Sequence, residues 1–351
     1  HAMLQLAPFA SLRRRTPMRL QLLAAACAVG VSSSFGSPFG GALFSVEVTS
    51  TYYSVSNLPS AFWGAICGAA VTHWLGRGNP LALFDVTFSH KSVPAGDVFG
   101  CLVVGGLAGL VGGLLVVLVA LCVRLRNRYL PSSRPLPRLL VVAAAAVCTA
   151  FLSHYNYGMT SDLPRWDRQQ DMVQYLFSAP SLSGRQTGFL VWFLAARFLL
   201  TAFSISLPLP VGLFTPVFLI GAVGGRLLGQ AFTSHHQWLG ALGAGEWAVL
   251  GAAAMAGAVT RSISTAVIVM ELVAFNGQQY LQIPVALSVL AAYAVSGLIS
   301  SSVYDALITA NHVPFLPPMA EGDPRATLTS VSIMVPARHV ACLSPCPSVL
   351  E

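Results

Sequence analysis

The chain has 351 residues, of which 55% are hydrophobic and only 9% charged, with a formal net charge of +7. Soluble domains carry about 25% charged residues, so this composition cannot cover a water-exposed surface, and a soluble globular protein is excluded. The basic balance, with a pI near 9.2 and a mean hydropathy of +0.70, does not mark a nucleic-acid binder either. The arginines sit beside apolar stretches, Arg13, Arg14, Arg15 and Arg19 before one and Arg124, Arg126, Arg128, Arg134 and Arg138 between two others. Cytoplasmic loops of multi-pass membrane proteins place their cations in this way.

Uncharged stretches run over 20–46, 98–123, 198–225 and 272–304, each long enough for the roughly 20 apolar residues that a bilayer span needs. In chain order the pattern predicts helices near 20–34, 38–52, 58–76, 97–124, 137–153, 187–206, 213–231, 246–258, 262–275 and 282–300, and a short one beginning near 301. The first two are separated because Gly36-Ser37-Pro38 and Gly40-Gly41 interrupt what would otherwise be one overlong helix. Topology agrees: with both arginine clusters cytoplasmic, an even number of crossings must lie between them, and the split supplies it. Residues 155–186, with Asp162, Asp167 and Asp171, read as a loop on the opposite face. The next crossing returns the chain to the cytoplasmic side.

A weak internal repeat is visible. Ala24–Val31 leads to Phe44-Ser45-Val46-Glu47, and Ala252–Val259 leads to Ile268-Val269-Met270-Glu271. Each is a small-residue helix, a break, and an apolar helix ending in a lone Glu. Broken helices repeated in two halves mark transporter folds whose binding site lies at the repeat interface. The cysteines give no disulfide framework, and Cys342, Cys346, His235 and His236 lack metal-ligand spacing. No Ser/His, HExxH or paired-Asp constellation falls in the spans, so enzymatic chemistry is not expected.

The chemistry lies in Ser206-Leu207-Pro208-Leu209-Pro210-Val211-Gly212-Leu213-Phe214-Thr215-Pro216. Prolines close one helix and open another, since a proline in a first turn forfeits no needed N–H. The N–H groups of Leu213 and Phe214 are then free at a helix start within the membrane. An unpaired buried donor costs about 1–3 kcal/mol. An anion would satisfy it, because a helix start concentrates donors and carries about half a positive charge. A proline kink satisfied by a neighbouring helix or by water is the alternative.

These residues resemble the CLC family of chloride channels and transporters over most of the chain, from Leu22 to Pro317. Gly212-Leu213-Phe214-Thr215-Pro216 looks like the family's GxFxP motif. Residues 36–48, residues 257–268 and Ser302-Val303-Tyr304-Asp305 followed by Pro314-Phe315-Leu316-Pro317 resemble further family signatures, in the family's order. The resemblance implies an all-α polytopic membrane protein, a CLC-type inverted repeat of tilted and broken helices with the first-half N-terminal helices missing. It implies chloride as the transported ligand with no cofactor or metal, bound by the amides of Leu213 and Phe214 and the hydroxyl of Tyr304, with Gly212 and Pro216 supporting the motif. A phenol donates to an anion without adding charge; the alternative for Tyr304 is an interfacial anchor.

It further implies a homodimer in a lipid bilayer, with the plasma membrane favoured. The expected organisation is a basic cytoplasmic segment at 1–19, the end of the first membrane repeat at 20–96, the second repeat at 97–317, and a linker with the start of a CBS-like domain at 318–351. Proton-coupled members typically carry a second Glu after the segment matching Phe44–Glu47. Here that residue is Val48, which cannot carry a proton, and Glu47 points about 100° away on a helix. The reading is therefore a voltage-gated-type chloride channel subunit, with a proton-coupled exchanger or a non-conducting regulatory subunit as alternatives.

Overall fold

The computed structural model describes residues 16–48, 55–75, 88, 93, 95–129, 135–158, 169–178, 182–209, 211–235, 242–275 and 279–313. Contacts divide the chain into His1–Pro314 and Phe315–Glu351, and every described residue belongs to the first unit. Arg13, Arg14, Arg15, Arg134, Asp162, Asp167, Pro210, His236, Cys342, Cys346 and residues 314–351 lie outside the described set.

The described elements are helical throughout: α1 (Thr16–Phe35), α2 (Pro38–Val48), α3 (Leu58–Leu75), α4 (Ala95–Tyr129), α5 (Pro135–Gly158), α6 (Gln169–Ser178), α7 (Gly184–Ser206), α8 (Phe214–His235), α9 (Ala244–Thr260), α10 (Ser264–Phe275), α11 (Gln282–Ile299) and α12 (Val303–Ala310). By length and composition, four segments among the described residues can cross a membrane, Gly96–Tyr129, Gly184–Ser206, Phe214–Thr233 and Gln279–Ala310. α2, α9 and α10 are apolar but shorter, at 11, 17 and 12 residues.

The break between α1 and α2 falls where the sequence places it. Gly36 has φ 65°, and its N–H donates to the Ser32 carbonyl at 2.8 Å, closing α1 with a left-handed residue that glycine adopts at least cost. α9 closes the same way, on Arg261 at φ 56° with its N–H on the Gly257 carbonyl at 2.9 Å. Arginine has a Cβ and is strained there. Its guanidinium lies 4.8 Å from the Tyr293 ring centre and donates to the Ser300 carbonyl at 2.9 Å, contacts that hold the turn.

Two expectations need correction. Residues 155–186 are not all loop: α5 runs to Gly158, and α6 occupies Gln169–Ser178. Met172, Val173, Leu176 and Phe177 of α6 are buried; they recur one and four residues apart and so share a helical face. Arg126 and Arg128 are not loop residues either, since α4 extends to Tyr129. Arginine is a good helix former, and cations suit a helix C-terminus.

Small residues let the helices of the second half approach closely. A Cβ on Gly221 or Gly225 of α8 would collide with the backbone of Gly251 or Trp247 on α9, and one on Gly109 of α4 would meet the Ala292 carbonyl of α11 at 2.6 Å. Membrane helices, which lack a hydrophobic drive toward one another, associate through such contacts. α8 and α9 carry the centre of the core, where Leu219, Ala222, Trp247, Leu250 and Ala252 are fully buried.

Candidate anion site

The two halves of the sequence repeat meet in space. Glu271, at the end of α10, accepts from the Ser37 hydroxyl, from the Phe39 N–H at 3.1 Å and from the Gly40 N–H at 2.8 Å, all at the start of α2. Glu47, at the end of α2, accepts from the Ser264 hydroxyl at 2.5 Å, the Ser264 N–H at 2.9 Å and the Ile263 N–H at 3.2 Å, at the start of α10. Each lone carboxylate thus takes one serine hydroxyl and two amides from the first turn of the other helix. A carboxylate at a helix start satisfies orphan donors and opposes the dipole's positive end.

Three other helix starts are served internally as well. Ser183 N–H donates to the Gln186 side chain at 2.9 Å at the start of α7, and Gly243 N–H donates to Glu246 at the start of α9. At α12 the Ser302 hydroxyl accepts from the Asp305 N–H at 3.1 Å.

The start of α8 differs. Its first turn holds no acidic residue. Leu213 accepts at its carbonyl from Val217 N–H at 3.2 Å, which makes it the residue that opens the helix. Among the described residues, the N–H groups of Leu213 and Phe214 make no hydrogen bond. Pro216 has no N–H to offer. Gly212 is exposed, and a Cβ there would meet nothing within 4 Å.

Leu213 and Tyr304 are both half-buried and pack against one apolar group, built from Leu115 and Val119 of α4, Val217 and Ile220 of α8, and Val303 of α12. The fold therefore brings these two predicted site residues to the same group. Phe214 turns its ring elsewhere, 4.6 Å from Phe35 of α1, 6.4 Å from Phe44 of α2 and 6.1 Å from Phe218 of α8 between ring centres. Its side chain thus anchors the motif to α1 and α2. Val48 is half-buried at the end of α2, next to the Glu47 carboxylate that α10 occupies.

Arg197 escaped the sequence reading. It is 5% exposed and, with Thr149, Thr201 and Ser204, lines a cavity of about 270 Å³ that reaches Gly212 and Pro216. A charged residue inside the predicted span 187–206 was its signal, because intramembrane cations face the protein interior or a wet cavity. Among the described residues no group of His, Cys, Asp and Glu has the geometry to hold a metal ion.

Residues 2–297 match the model of the voltage gated chloride channel family. Chloride channel protein 2 of Rattus norvegicus is 35% identical over 86% of this chain and 37% of its own length. Chloride channel protein F of Dictyostelium discoideum is 31% identical over 90% of this chain and 41% of its own length. The chain therefore spans well under half the length of these relatives. A crystal structure of a eukaryotic CLC transporter superposes with a TM-score of 0.68 at 34% identity, covering 90% of this chain and 51% of that one. A cyanobacterial Cl−/H+ antiporter at 19% identity shares the fold, with a TM-score of 0.71 over 85% of this chain and 66% of that one. This all-α, multi-pass membrane chain belongs to the voltage-gated chloride channel family.

Proposed function

We propose that the chain forms part of a chloride channel in which the Leu213 and Phe214 amides, with the Tyr304 hydroxyl, hold an anion on its way across the membrane. The observation that carries this reading is the contrast among helix starts: a carboxylate, a glutamine or a serine serves each of the others described above, and the α8 start keeps its donors. Neutral donors suit conduction, because a full countercharge would hold the anion too tightly to release it quickly. Gly212 leaves the approach to the amides open, and Pro216 fixes the first turn without consuming an acceptor.

Passive conduction is the finer part of the proposal. Val48 offers no titratable group where proton-coupled members carry a second Glu, and the adjacent Glu47 is engaged by three donors of α10. The competing reading is a Cl−/H+ exchanger, favoured by the antiporter and transporter among the structural relatives. In the intact protein, the reversal potential is expected to follow the chloride gradient and to stay fixed when pH changes on one side. A shift with pH at constant chloride would establish exchange instead.

The proposal includes a homodimer with one pore per protomer, residence in the plasma membrane, and a cytoplasmic linker and CBS-like start within 318–351. These parts rest on the family resemblance.

A further inference from the structure

A side-chain cluster outside the anion motif ties its two walls together. Near the end of α4, half-buried Arg126 donates through Nη1 to the carbonyl of Ser206, the last residue of α7. Its Nη2 donates to Asn311 Oδ1, just past α12, at 2.7 Å, and to Asn127 Oδ1 at 2.9 Å. Nε donates to the same Asn127 oxygen at 3.2 Å, and Asn127 Nδ2 donates to the carbonyl of Ala310, the last residue of α12, at 3.0 Å.

The two carbonyls share a cause. In a continuing α-helix, each would accept from the N–H four residues onward. Those positions are Pro210 and Pro314, and proline has no N–H. The prolines that end α7 and follow α12 therefore leave an acceptor at each helix end, and adjacent side chains of one helix, α4, supply the donors. An arginine fork has five N–H groups in a fixed plane, so Arg126 can hold Ser206, Asn311 and Asn127 together.

We propose that Arg126 and Asn127 are positioning residues that set the distance between the α8 start and Tyr304. The inference rests on the reading of Leu213, Phe214 and Tyr304 as anion donors. Seven residues separate Ser206 from Leu213, and six separate Tyr304 from Ala310. Ala310 lies less than two turns along α12 from Tyr304, and Ser206 begins the linker that leads to Leu213, so the clamp holds both donor-bearing segments near the anion without touching it. Releasing either carbonyl lets one wall move relative to the other and changes which anions fit between them.

The test is the nitrate-to-chloride permeability ratio of the intact protein, compared at matched surface density and repeated in high salt. Arg126→Lys keeps the charge and loses the fork; Asn127→Leu removes the donor to Ala310; Asn311→Ala removes one exposed contact and leaves the buried ones, so it should fold even if the others do not. Leu213→Asp and Tyr304→Phe are measured alongside.

Each clamp variant is expected to move the ratio by about twofold or more, the size of effect that residues coupled to a site at a distance produce, and the change should persist in high salt. A change that vanishes in high salt would mean that Arg126 acts only as a surface charge, and would overturn the proposal. If Leu213→Asp and Tyr304→Phe move the ratio while all three clamp variants leave it alone, the clamp is wrong and the anion site stands. If the site variants are also silent, the anion reading has failed and the clamp falls with it.

Discussion

The starts of α2 and α10 and the start of α8 are broken helix ends of one membrane domain, yet they are treated in opposite ways. At α2 and α10, Glu271 and Glu47 cross from one repeat to the other and take up the first-turn donors. At α8 the donors of Leu213 and Phe214 are left open, and the adjacent Gly212 leaves space before them. The difference separates two uses of one physical object. A helix start with a built-in carboxylate is a joint, and the α8 start, whose donors are left open, is the one proposed here to take an anion from outside.

The comparison breaks most sharply if the α8 start is given the group that the other two possess. Leu213→Asp places a carboxylate at the residue that opens the helix, where its charge opposes an anion at the first-turn amides. Anion current per surface-expressed molecule is expected to fall at least about tenfold, the factor that about 1.4 kcal/mol makes in an equilibrium constant. Leu213→Met, which keeps the position apolar, should conduct nearly as the parent does.

The converse change removes a joint. Glu271→Ala or Glu47→Ala leaves a hydroxyl and two amides without their acceptor and should destabilise the intact protein in detergent by about 1–3 kcal/mol. The readout is the temperature at which the folded peak is lost from size-exclusion chromatography. Variants that reach the surface should keep their nitrate-to-chloride ratio, because these residues hold the frame and not the ion.

Smaller effects sharpen the picture. Phe35→Leu removes the ring nearest Phe214 and is expected to cost about 0.5–1.5 kcal/mol in the same melting assay. Glu271→Gln and Glu47→Gln keep an acceptor oxygen and lose only the charge at the helix start, an effect of about 0.3–1 kcal/mol. A Gln variant as damaging as the Ala variant would mean that charge, rather than hydrogen bonding, makes the joint.

Local chemistry was legible in the sequence wherever the cause was local. The split at Gly36 and the helix opening at Leu213 follow from glycine and proline, whose constraints act within a few residues. The lone Glu at the end of each repeat was visible too, but not its purpose, since its donors lie more than 200 residues away along the chain. α6 was hidden because Gln169, Gln170, Asp171 and Gln174 give a short helix the composition of a loop, while its buried face is only four residues wide. Arg126 read as one more cytoplasmic cation. Its role depends on carbonyls that are orphaned by prolines on two other helices, and only the fold brings them together.

The central claim, that the α8 start is the site of a mobile anion and not another internal joint, can be seen directly. Crystals of the intact protein grown in bromide should show an anomalous peak within hydrogen-bond distance of the Leu213 and Phe214 nitrogens and of the Tyr304 hydroxyl, and Leu213→Asp should abolish it. Finding both amides bonded to a protein carbonyl, with no bromide beside them, would contradict the account.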